Sequence, residues 1–278
     1  MANVLIEENT LKGIADAIRS VLGTTETMLM SSVADKITEI KAKIPPNGKE
    51  WTQSNITSGK FYVVYNANGI WVAGSNSGLY YSTDGKEWTQ SNVTSGTFYS
   101  VYNANGIWVA GSSGGLYYST DGIAWTQSKS NSTFYKVLNA NGIWVACSNS
   151  YGLYYSTDGI TWSQKNVKTN DFRALSYANG IWVAGSNSSY GLYYSTDGIT
   201  WTRSNITTNS FRALSYANGI WVAGSKSSKG LYYSTDGIAW TQSNVTSGTF
   251  YSVYNANGIW VAGSNSDYGL YYSQSAIE

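Results

Sequence analysis

The sequence predicts an all-β fold of six repeated four-stranded sheets that close into a ring, preceded by a small α-helical module. Three observations predict it: one unit recurs six times, each unit contains four short strand-like runs, and the two ends of the array are offset by one strand. The predicted domains are residues 1–46 for the helical module and residues 47–278 for the ring.

The repeat is carried by two strings that recur once per unit, and the units, 37 or 39 residues long, begin at residue 51. The string Gly-Ile-Trp-Val-Ala begins at Gly69, Gly106, Gly142, Gly180, Gly219 and Gly258. The string Leu-Tyr-Tyr-Ser begins at Leu79, Leu116, Leu153, Leu192, Leu231 and Leu270. A period near 40 residues is typical of one four-stranded blade of a β-propeller.

Each unit reads as four short strands joined by two kinds of tight turn. In the first unit the aromatic and β-branched runs predict strands at residues 61–66, 70–75, 79–82 and 86–91. Asn68-Gly69 between the first two predicts a type I′ hairpin, because both central residues of that turn need positive φ.

The ends of the array predict how the ring closes. The sixth unit lacks its own fourth strand, while residues 47–53 match the fourth-strand segment 84–90. We therefore expect residues 50–54 to complete the last blade by strand exchange, which removes the open seam.

Composition excludes several classes of function. The chain carries a net charge of +1, with 12% charged and 15% aromatic residues, which is not a disordered composition. Lysines and arginines are scattered, so no nucleic-acid partner is expected. No apolar run approaches the roughly 20 residues that span a bilayer, and the N-terminus lacks the features of a signal peptide.

The absence of histidine and the single cysteine also restrict the chemistry. No intrachain disulfide is possible, and Cys147 stands where the sister units have glycine, so we expect it to pack as a small hydrophobe. Without histidine the commonest general base and metal ligand are missing. No metal site and no cofactor are expected.

The segment from Ser82 to Trp88, Ser-Thr-Asp-Gly-Lys-Glu-Trp, resembles the Asp-box (BNR) motif of sialidase-like propellers, although it is one residue shorter between Asp and Gly. The resemblance implies a structural role at the periphery, away from any ligand. The aspartates of the five copies are Asp84, Asp121, Asp158, Asp197 and Asp236.

The N-terminal module carries a second resemblance. Its opening, from Leu5 to Arg19, is similar to the start of many tail and tail-fibre proteins of bacteriophages that infect Gram-positive gut bacteria. This implies a virion location, with the module attached to a phage tail or baseplate protein. Apolar residues at helical spacing predict two short helices, which either fold back on the propeller or self-associate, with a trimer as one possible homo-oligomer.

Sialidase chemistry uses three arginines that clamp a carboxylate, a Tyr/Glu pair and an acidic Asp. The repeats hold three arginines, of which Arg173 and Arg212 occupy the same position in adjacent units while Arg203 sits on an outer strand. No glutamate has a partner for acid–base work. We therefore expect a protein without catalytic residues.

The loops that differ between units all lie at the end of the blades opposite the Asn-Gly and Asp-box turns. Their Asn, Ser, Thr and Tyr content suits hydrogen bonding and stacking on sugars, although ordinary solvated loops could drift in the same way after duplication. The candidate ligand-binding residues are Lys60, Asn76, Asn149, Tyr151, Arg173, Asn187, Tyr190, Arg212, Lys229, Asn265 and Tyr268.

Three functions are compatible with this pattern. The first is a phage receptor-binding or tail-fibre head that recognises bacterial surface carbohydrate through the variable loops. The second is a structural virion decoration that binds only protein neighbours. The third is a bacterial lectin-like propeller without a phage connection.

Overall fold

Short runs of tyrosine, tryptophan and valine form strands throughout the repeats. The computed structural model describes residues 51–130, 132–164, 167, 170–264 and 269–274, together with Asp16 and Ser20. The chain divides into two compact units, Met1–Gln53 and Ser54–Glu278, and all strands of the described residues lie in the second. The predicted helical module, residues 1–46, lies outside the described residues apart from Asp16 and Ser20, which are helical.

Six antiparallel sheets follow one another along the chain, and each is called a blade here. The first strands are β1 (Phe61–Ala67), β5 (Phe98–Ala104), β9 (Phe134–Ala140), β13 (Phe172–Ala178), β17 (Phe211–Ala217) and β21 (Phe250–Ala256). The second strands are β2 (Ile70–Ser75), β6 (Ile107–Ser112), β10 (Ile143–Ser148), β14 (Ile181–Ser186), β18 (Ile220–Ser225) and β22 (Ile259–Ser264).

The third and fourth strands complete the blades. The third strands are β3 (Gly78–Ser82), β7 (Gly115–Ser119), β11 (Leu153–Ser156), β15 (Leu192–Ser195), β19 (Leu231–Ser234) and β23 (Leu270–Gln274). The fourth strands are β4 (Thr89–Gln90), β8 (Thr126–Ser130), β12 (Ser163–Gln164), β16 (Thr202–Arg203) and β20 (Thr241–Gln242). The strand order in each blade is the order in sequence, and each first strand from β1 to β17 packs on the first strand of the next blade.

The Asn-Gly turns between first and second strands have the predicted geometry. In blade 1 the φ angles are 52° at Asn68 and 78° at Gly69, and the other five turns repeat these values within a few degrees. Two positive φ angles in succession define the type I′ turn, whose twist matches that of the flanking strands.

The fourth strands are shorter than the sequence predicted. The prediction began at residue 86, but β4 spans only Thr89–Gln90. The backbone N–H groups of Lys86 and Glu87 donate instead to the Asp84 carboxylate, at 2.8 and 3.0 Å, so they are not available to a ladder.

The core lies between blades rather than within them. Between blades 1 and 2, Val72 and Leu79 pack against Phe98, Trp108 and Trp125 of the following blade. The same kinds of residue fill the three following interfaces. Each aromatic side chain therefore joins two blades, and removing one such tryptophan costs about 3–5 kcal/mol.

Among the described residues the predicted strand exchange is not observed, and for residues 50–54 it stays a prediction. The last sheet has three strands, β21-β22-β23, and Trp51–Ser54 lie in no strand.

The seam between the first and last blades is correspondingly open. Phe61 is 40% exposed, whereas its counterparts in the other five blades are fully buried. A Cβ atom at Gly74 would lie 2.8 Å from the Phe98 Cβ of the next blade, but the nearest atom to a Cβ at Gly263 is 3.8 Å away. Among the described residues, packing comparable to that of β1 on β5 is not found between β21 and β1.

Candidate functional site

A β-bulge near the start of every first strand creates the principal candidate site. In blade 2, Phe98 pairs with Ser112 and Ser100 pairs with Gly111, so Tyr99 is an extra residue without a place in the ladder. The same irregularity occurs in all six blades. Bulges re-aim the inserted side chain, and here they present one residue per blade, which together are called the mouth ring: Tyr62, Tyr99, Tyr135, Arg173, Arg212 and Tyr251.

Neighbouring members of the mouth ring contact one another. The ring centroids of Tyr62 and Tyr99 are 5.6 Å apart, and those of Tyr99 and Tyr135 are 5.0 Å apart. The Arg173 guanidinium lies 4.0 Å from the centroid of the Tyr135 ring, and Arg212 lies 5.2 Å from that of Tyr251. Burial and the neighbouring Tyr135 raise the pKa of Tyr99, which keeps its hydroxyl neutral. The result is a row of tyrosine rings in tilted contact, next to two guanidinium groups.

A hydrogen-bond network fixes the two arginines. The Arg173 Nε donates to the Asp171 carboxylate at 3.3 Å, and the Asn187 amide nitrogen donates to the same carboxylate at 2.6 Å. The Asn187 amide oxygen accepts a bond of 2.7 Å from the Arg212 Nε. Arg173, Asn187 and Arg212, predicted separately, are thus brought together in one site.

A cavity of about 220 Å³ opens between the first strands of blades 3 to 6 beside these residues. Its charged lining comes from Lys136, Arg173 and Arg212, and Tyr251 lines it as well. Inward-facing backbone and small side chains such as Ala174 leave room for a small group rather than a large one.

Lys226 belongs to the same neighbourhood although the sequence analysis did not single it out. It occupies the loop position held by Asn187 in the preceding blade. Burial and the nearby Arg212 and Arg173 lower the pKa of Lys226, and burial and Arg173 lower the pKa of Arg212. Burial is the larger cause of both shifts, and the neighbouring positive charges add to it.

Lys60 and Asn76 form a latch between two loops of blade 1. The Asn76 side-chain oxygen accepts from the Lys60 backbone N–H at 3.1 Å, and the Lys60 carbonyl accepts from the Asn76 N–H at 2.9 Å. Asn76 therefore holds the loop in shape, while the Lys60 side chain is exposed.

Asn149 and Tyr151 line a second cavity of about 340 Å³, formed with Ser132 and the loop at Ser113. The Ser132 hydroxyl donates to the Asn149 side-chain oxygen at 3.3 Å, so Asn149 is also part of a latch. Tyr151 is 48% exposed at the edge of this cavity and is available to stack on a ligand.

The remaining candidates lie outside these clusters. Tyr190 is 46% exposed, and its carbonyl accepts from Arg203. Lys229 is exposed, and its carbonyl accepts from Gln242 at 2.8 Å. Asn265 and Tyr268 lie outside the described residues.

The five predicted Asp-turn aspartates have structural surroundings. In each turn one carboxylate oxygen accepts from two backbone N–H groups and from the serine two residues earlier; in blade 2 the Asp121 partners are Ile123, Ala124 and Ser119. The tryptophan that follows donates its indole N–H to the glycine carbonyl of the turn, as Trp125 does to Gly122 at 3.2 Å. These hydrogen bonds are all made within the turn.

Sequence reasoning missed Tyr62, Tyr99, Tyr135 and Tyr251, and also Asp171, Lys136 and Lys226. The signal that could have found the tyrosines is positional. Each of them follows the first phenylalanine of its unit, at the place where Arg173 and Arg212 stand in blades 4 and 5. The bulge that makes this position special has no separate sequence signature.

Within the part of the chain that the structure describes, no cluster of three or more histidine, cysteine, aspartate or glutamate side chains could hold a metal ion. Among the same residues, no helix is long and apolar enough to cross a membrane.

Comparison with known proteins places the fold. No family model matches the chain, and no curated protein matches it in sequence. Among solved structures, the computationally designed Ika8 protein aligns with a TM-score of 0.63 and 12% identity over 81% of this chain and 74% of its own. YCF48 bound to D1 peptide aligns with a TM-score of 0.60 and 16% identity over 83% and 82%.

An ancestral GH74 enzyme aligns with a TM-score of 0.58 and 16% identity, over 78% of this chain but only 38% of the enzyme. These neighbours are β-propeller-like proteins, and at such identities the likeness concerns the fold alone. Five four-stranded sheets and one three-stranded sheet repeat along the chain. Together with these neighbours, they show that the repeat region is a β-propeller-like array.

Proposed function

We propose that this chain is a non-catalytic binding protein that recognises bacterial surface carbohydrate through the variable loops and the mouth ring. The observation that carries the proposal is the mouth ring itself, where four tyrosines and two arginines are presented by bulges at one end of the blades. Tyrosine faces stack on the apolar faces of sugars, while guanidinium and amide groups bind hydroxyls. Such a surface, held on a rigid scaffold, is typical of recognition.

The absence of an acid–base pair at this site supports binding rather than turnover. The carboxylate of the site, Asp171, accepts from Arg173 and Asn187. A general acid or base must lie within hydrogen-bond distance of the atom that it protonates or deprotonates. The Asp171 carboxylate is instead engaged by Arg173 and Asn187. Release of reducing ends from any bound glycan by the purified protein would contradict this part of the proposal.

We further propose a place in the virion, as a tail-fibre or receptor-binding head attached through residues 1–46 to a phage tail or baseplate protein. The support is the resemblance of residues 5–19 to phage tail proteins. In the second predicted helix, Val33, Ile37, Ile40 and Ile44 recur at heptad spacing. Light scattering on the full chain tests the proposed trimer, since Ile37→Asp should convert an oligomer to a monomer. A wild-type monomer at micromolar concentration would exclude self-association.

A bacterial glycan array tests the central proposal. The full chain should bind a defined set of surface glycans, and Tyr99→Ala should weaken that binding about tenfold, the order of one lost stacking contact. Tyr81→Ala on the third strand of blade 1 is the matched control, because Tyr81 lies in the ladder opposite Thr89 rather than at the bulge. Binding to no glycan, together with no adsorption to host cells, would contradict the proposal.

The second candidate function is a decoration protein that binds only protein neighbours. YCF48, a neighbour of similar length, was solved with a bound D1 peptide, which favours a peptide or protein ligand for such an array. Retention of infectivity in phage that lack residues 47–278 would favour this candidate over the receptor-binding one. A bacterial lectin-like role remains the third, and the gene neighbourhood distinguishes it from both.

We also propose that residues 50–54 complete the last blade in solution. The support is a cavity of about 470 Å³ lined by Val222, Leu231, Trp260 and Tyr271, where the equivalent interface of blades 4 and 5 holds Trp240. Trp51 is the residue that corresponds to Trp240 in the repeat, and it is 88% exposed. Trp240 is 3% exposed in its interface, and burial of about 150–250 Å² of the Trp51 side chain in the equivalent place would favour closure.

Paired cysteines test this closure. By analogy with Tyr81 and Thr89, the residue opposite Tyr272 is Thr52. Thr52→Cys with Tyr272→Cys, in a Cys147→Ser background, should form an intramolecular disulfide, because directly opposed strand residues lie within disulfide reach. The control pair is Thr89→Cys with Tyr272→Cys, and equal cross-linking of both pairs would contradict the proposal.

A further inference from the structure

Four of the 17 lysines and arginines of this chain lie in or next to the mouth ring. The whole chain has a net charge of only +1. Yet Lys136, Arg173 and Arg212 line one small cavity, and the backbone N–H of Lys226 donates at 2.8 Å to the carbonyl of Ser210, two residues before Arg212. One carboxylate, Asp171, is in the same neighbourhood. Four cations against one anion leave a local surplus in a chain that is otherwise nearly neutral.

The single carboxylate is already committed to one of the four cations. Asp171 forms the ion pair with Arg173, whose side chain is 27% exposed. It also accepts from Asn187 at 2.6 Å. Its charge is therefore used at the Arg173 side of the cavity.

Arg212 is held differently from Arg173. Its Nε donates to the neutral amide oxygen of Asn187 at 2.7 Å, and its guanidinium lies over the Tyr251 ring. Within the described residues, no carboxylate pairs with Arg212, Lys136 or Lys226. The network thus orients the Arg212 side chain by its Nε, which leaves the terminal guanidinium nitrogens to face a ligand.

Positioning by a neutral partner is what a binding site for an anion needs. A guanidinium that is fixed in advance loses little side-chain entropy when a carboxylate or phosphate binds it through two parallel hydrogen bonds. The neighbouring lysine adds a second charge from the adjacent loop. Partial burial strengthens these interactions relative to those at an open surface.

Aromatic faces flank the charged part of the ring on both sides. Tyr135 stacks under Arg173, and Tyr251 lies beside Arg212. A small anion alone would not contact the tyrosine rings. A sugar that carries an anionic group would contact both the cationic side chains and the rings. The cavity of about 220 Å³ has space for the anionic group and part of one sugar residue.

We infer that the mouth ring binds an anionic saccharide, with the carboxylate or phosphate group held by Arg212 and Lys226 and the sugar ring packed on Tyr251. This inference rests on the proposed carbohydrate-binding function and names its ligand class. Arg173 and Asn187 act as positioning residues, because they set the orientation of Arg212 through the Asp171 network. The adjoining tyrosines of blades 1 to 3 extend the surface for further sugar residues.

Calorimetric titration of the full chain with matched probes tests the inference. The carboxylate arm compares glucuronate with glucose, and the phosphate arm compares glycerol 3-phosphate with glycerol. At least one anion should bind at least about tenfold more tightly than its neutral counterpart, a difference of about 1.4 kcal/mol. The preference for the anion should fall when the salt concentration is raised from about 50 to about 200 mM, because the shorter Debye length screens the attraction between the anion and the cationic side chains.

Three charge-removing variants locate the effect. Arg212→Gln and Lys226→Gln should each reduce the preference for the anion about tenfold. Arg203→Gln is the matched control, since Arg203 lies on the outer strand β16 and bonds to the carbonyls of Tyr190 and Thr207. It should leave the preference unchanged. Circular dichroism of each variant verifies that the fold is retained.

The outcomes separate this inference from the function on which it rests. Equal affinity for the anions and their neutral counterparts would overturn it, as would equal losses in Arg203→Gln and Arg212→Gln. If the chain binds neutral surface glycans and Arg212→Gln has no effect on them, the inference fails while the carbohydrate-binding proposal survives. If no glycan of either kind binds, the proposed function fails as well.

Discussion

Asp121 illustrates how one side chain organises a turn between strands. Its carboxylate accepts bonds of 2.8 and 2.9 Å from the N–H groups of Ile123 and Ala124, and 2.8 Å from the Ser119 hydroxyl. Burial acts to raise the pKa of Asp121, but these hydrogen bonds outweigh it and the pKa lies below the ordinary 3.8. The four sister aspartates have pKa values shifted in the same direction.

A lowered pKa in the folded state predicts a loss of stability in acid. The ionised carboxylate contributes stability above the pKa of the unfolded chain, and this contribution is lost as the pH falls through the lower folded-state pKa. The melting temperature should be constant above about pH 5 and fall below about pH 4. Asp121→Ala should lower the free energy of unfolding by about 1 kcal/mol at neutral pH. It should also reduce the loss of melting temperature in acid, as measured by thermal unfolding.

Asp121→Asn is the control for the same position. The amide oxygen still accepts hydrogen bonds but no longer titrates, so part of the neutral-pH stability should remain while the acid dependence decreases. An acid limb that is unchanged in both variants would assign the pH dependence to other carboxylates.

Cys147 is predicted to be chemically inert in the folded protein. It is fully buried against the next blade, with its Sγ 3.9 Å from the Ala174 carbonyl oxygen, and burial raises the pKa of its thiol. Because the thiolate is the reactive form, a disulfide reagent should label it only after unfolding in urea. Ser113→Cys, at an exposed loop position, should react at once; equal labelling of both sites would contradict the burial of Cys147.

At the scale of the strand and its connection, an asparagine clamp joins neighbouring blades at three junctions. The Asn92 amide nitrogen donates to the Trp125 carbonyl at 2.9 Å, and its oxygen accepts from the Trp125 N–H at 2.8 Å. Asn55 and Asn205 make the same pair of bonds to Trp88 and Trp240. At this position of the repeat, the sequence Asn-X-Thr occurs at Asn55, Asn92, Asn205 and Asn244, and the clamp explains the first three of these asparagines.

Asn92→Ala should destabilise the protein by about 1–2 kcal/mol, because two hydrogen bonds to the backbone of the next blade are lost at once. Chemical denaturation measures the effect. Thr94→Ala changes the exposed threonine of the same triplet and should fall within about 0.5 kcal/mol of the parent. A larger loss for Thr94→Ala than for Asn92→Ala would show that the clamp is not the stabilising contact.

The elements differ in how far the sequence predicts them. Turns such as Asn68-Gly69 were predictable because the backbone geometry restricts the residue type directly. The fourth strands were predicted too long, since side chains such as Asp84 take N–H groups that a strand pattern assigns to the ladder. The mouth ring was found only through Arg173 and Arg212, because a bulge is a property of pairing between two strands and leaves no local pattern at Tyr99.

At the scale of the whole molecule, identical sequences occupy different environments. Residues 88–112 and 240–264 have the same sequence. Val109 is fully buried, whereas its counterpart Val261 is 42% exposed, and Tyr254 is far more exposed than Tyr102. The difference comes from position in the array alone, so no reading of the local sequence could have predicted it.

Hydrogen exchange can use these two segments as an internal control, since their intrinsic exchange rates are equal. If residues 50–54 complete the last blade as proposed, both segments should be protected in the full chain. Trp51→Ala combined with Thr52→Pro should then accelerate exchange in residues 240–264 and leave residues 88–112 unchanged. Unequal protection in the parent chain, with no response to the substitutions, would support the open seam as the solution state.

The bulge also determines how new specificity can arise in this array. The bulged residue takes no part in the ladder, so its identity can change without disturbing the blade that carries it. Each repeat therefore encodes one position of the mouth ring, and a duplicated repeat brings its own tyrosine or arginine into the ring. Chains with blades added or exchanged would therefore present aromatic and cationic side chains in a different order on the same scaffold.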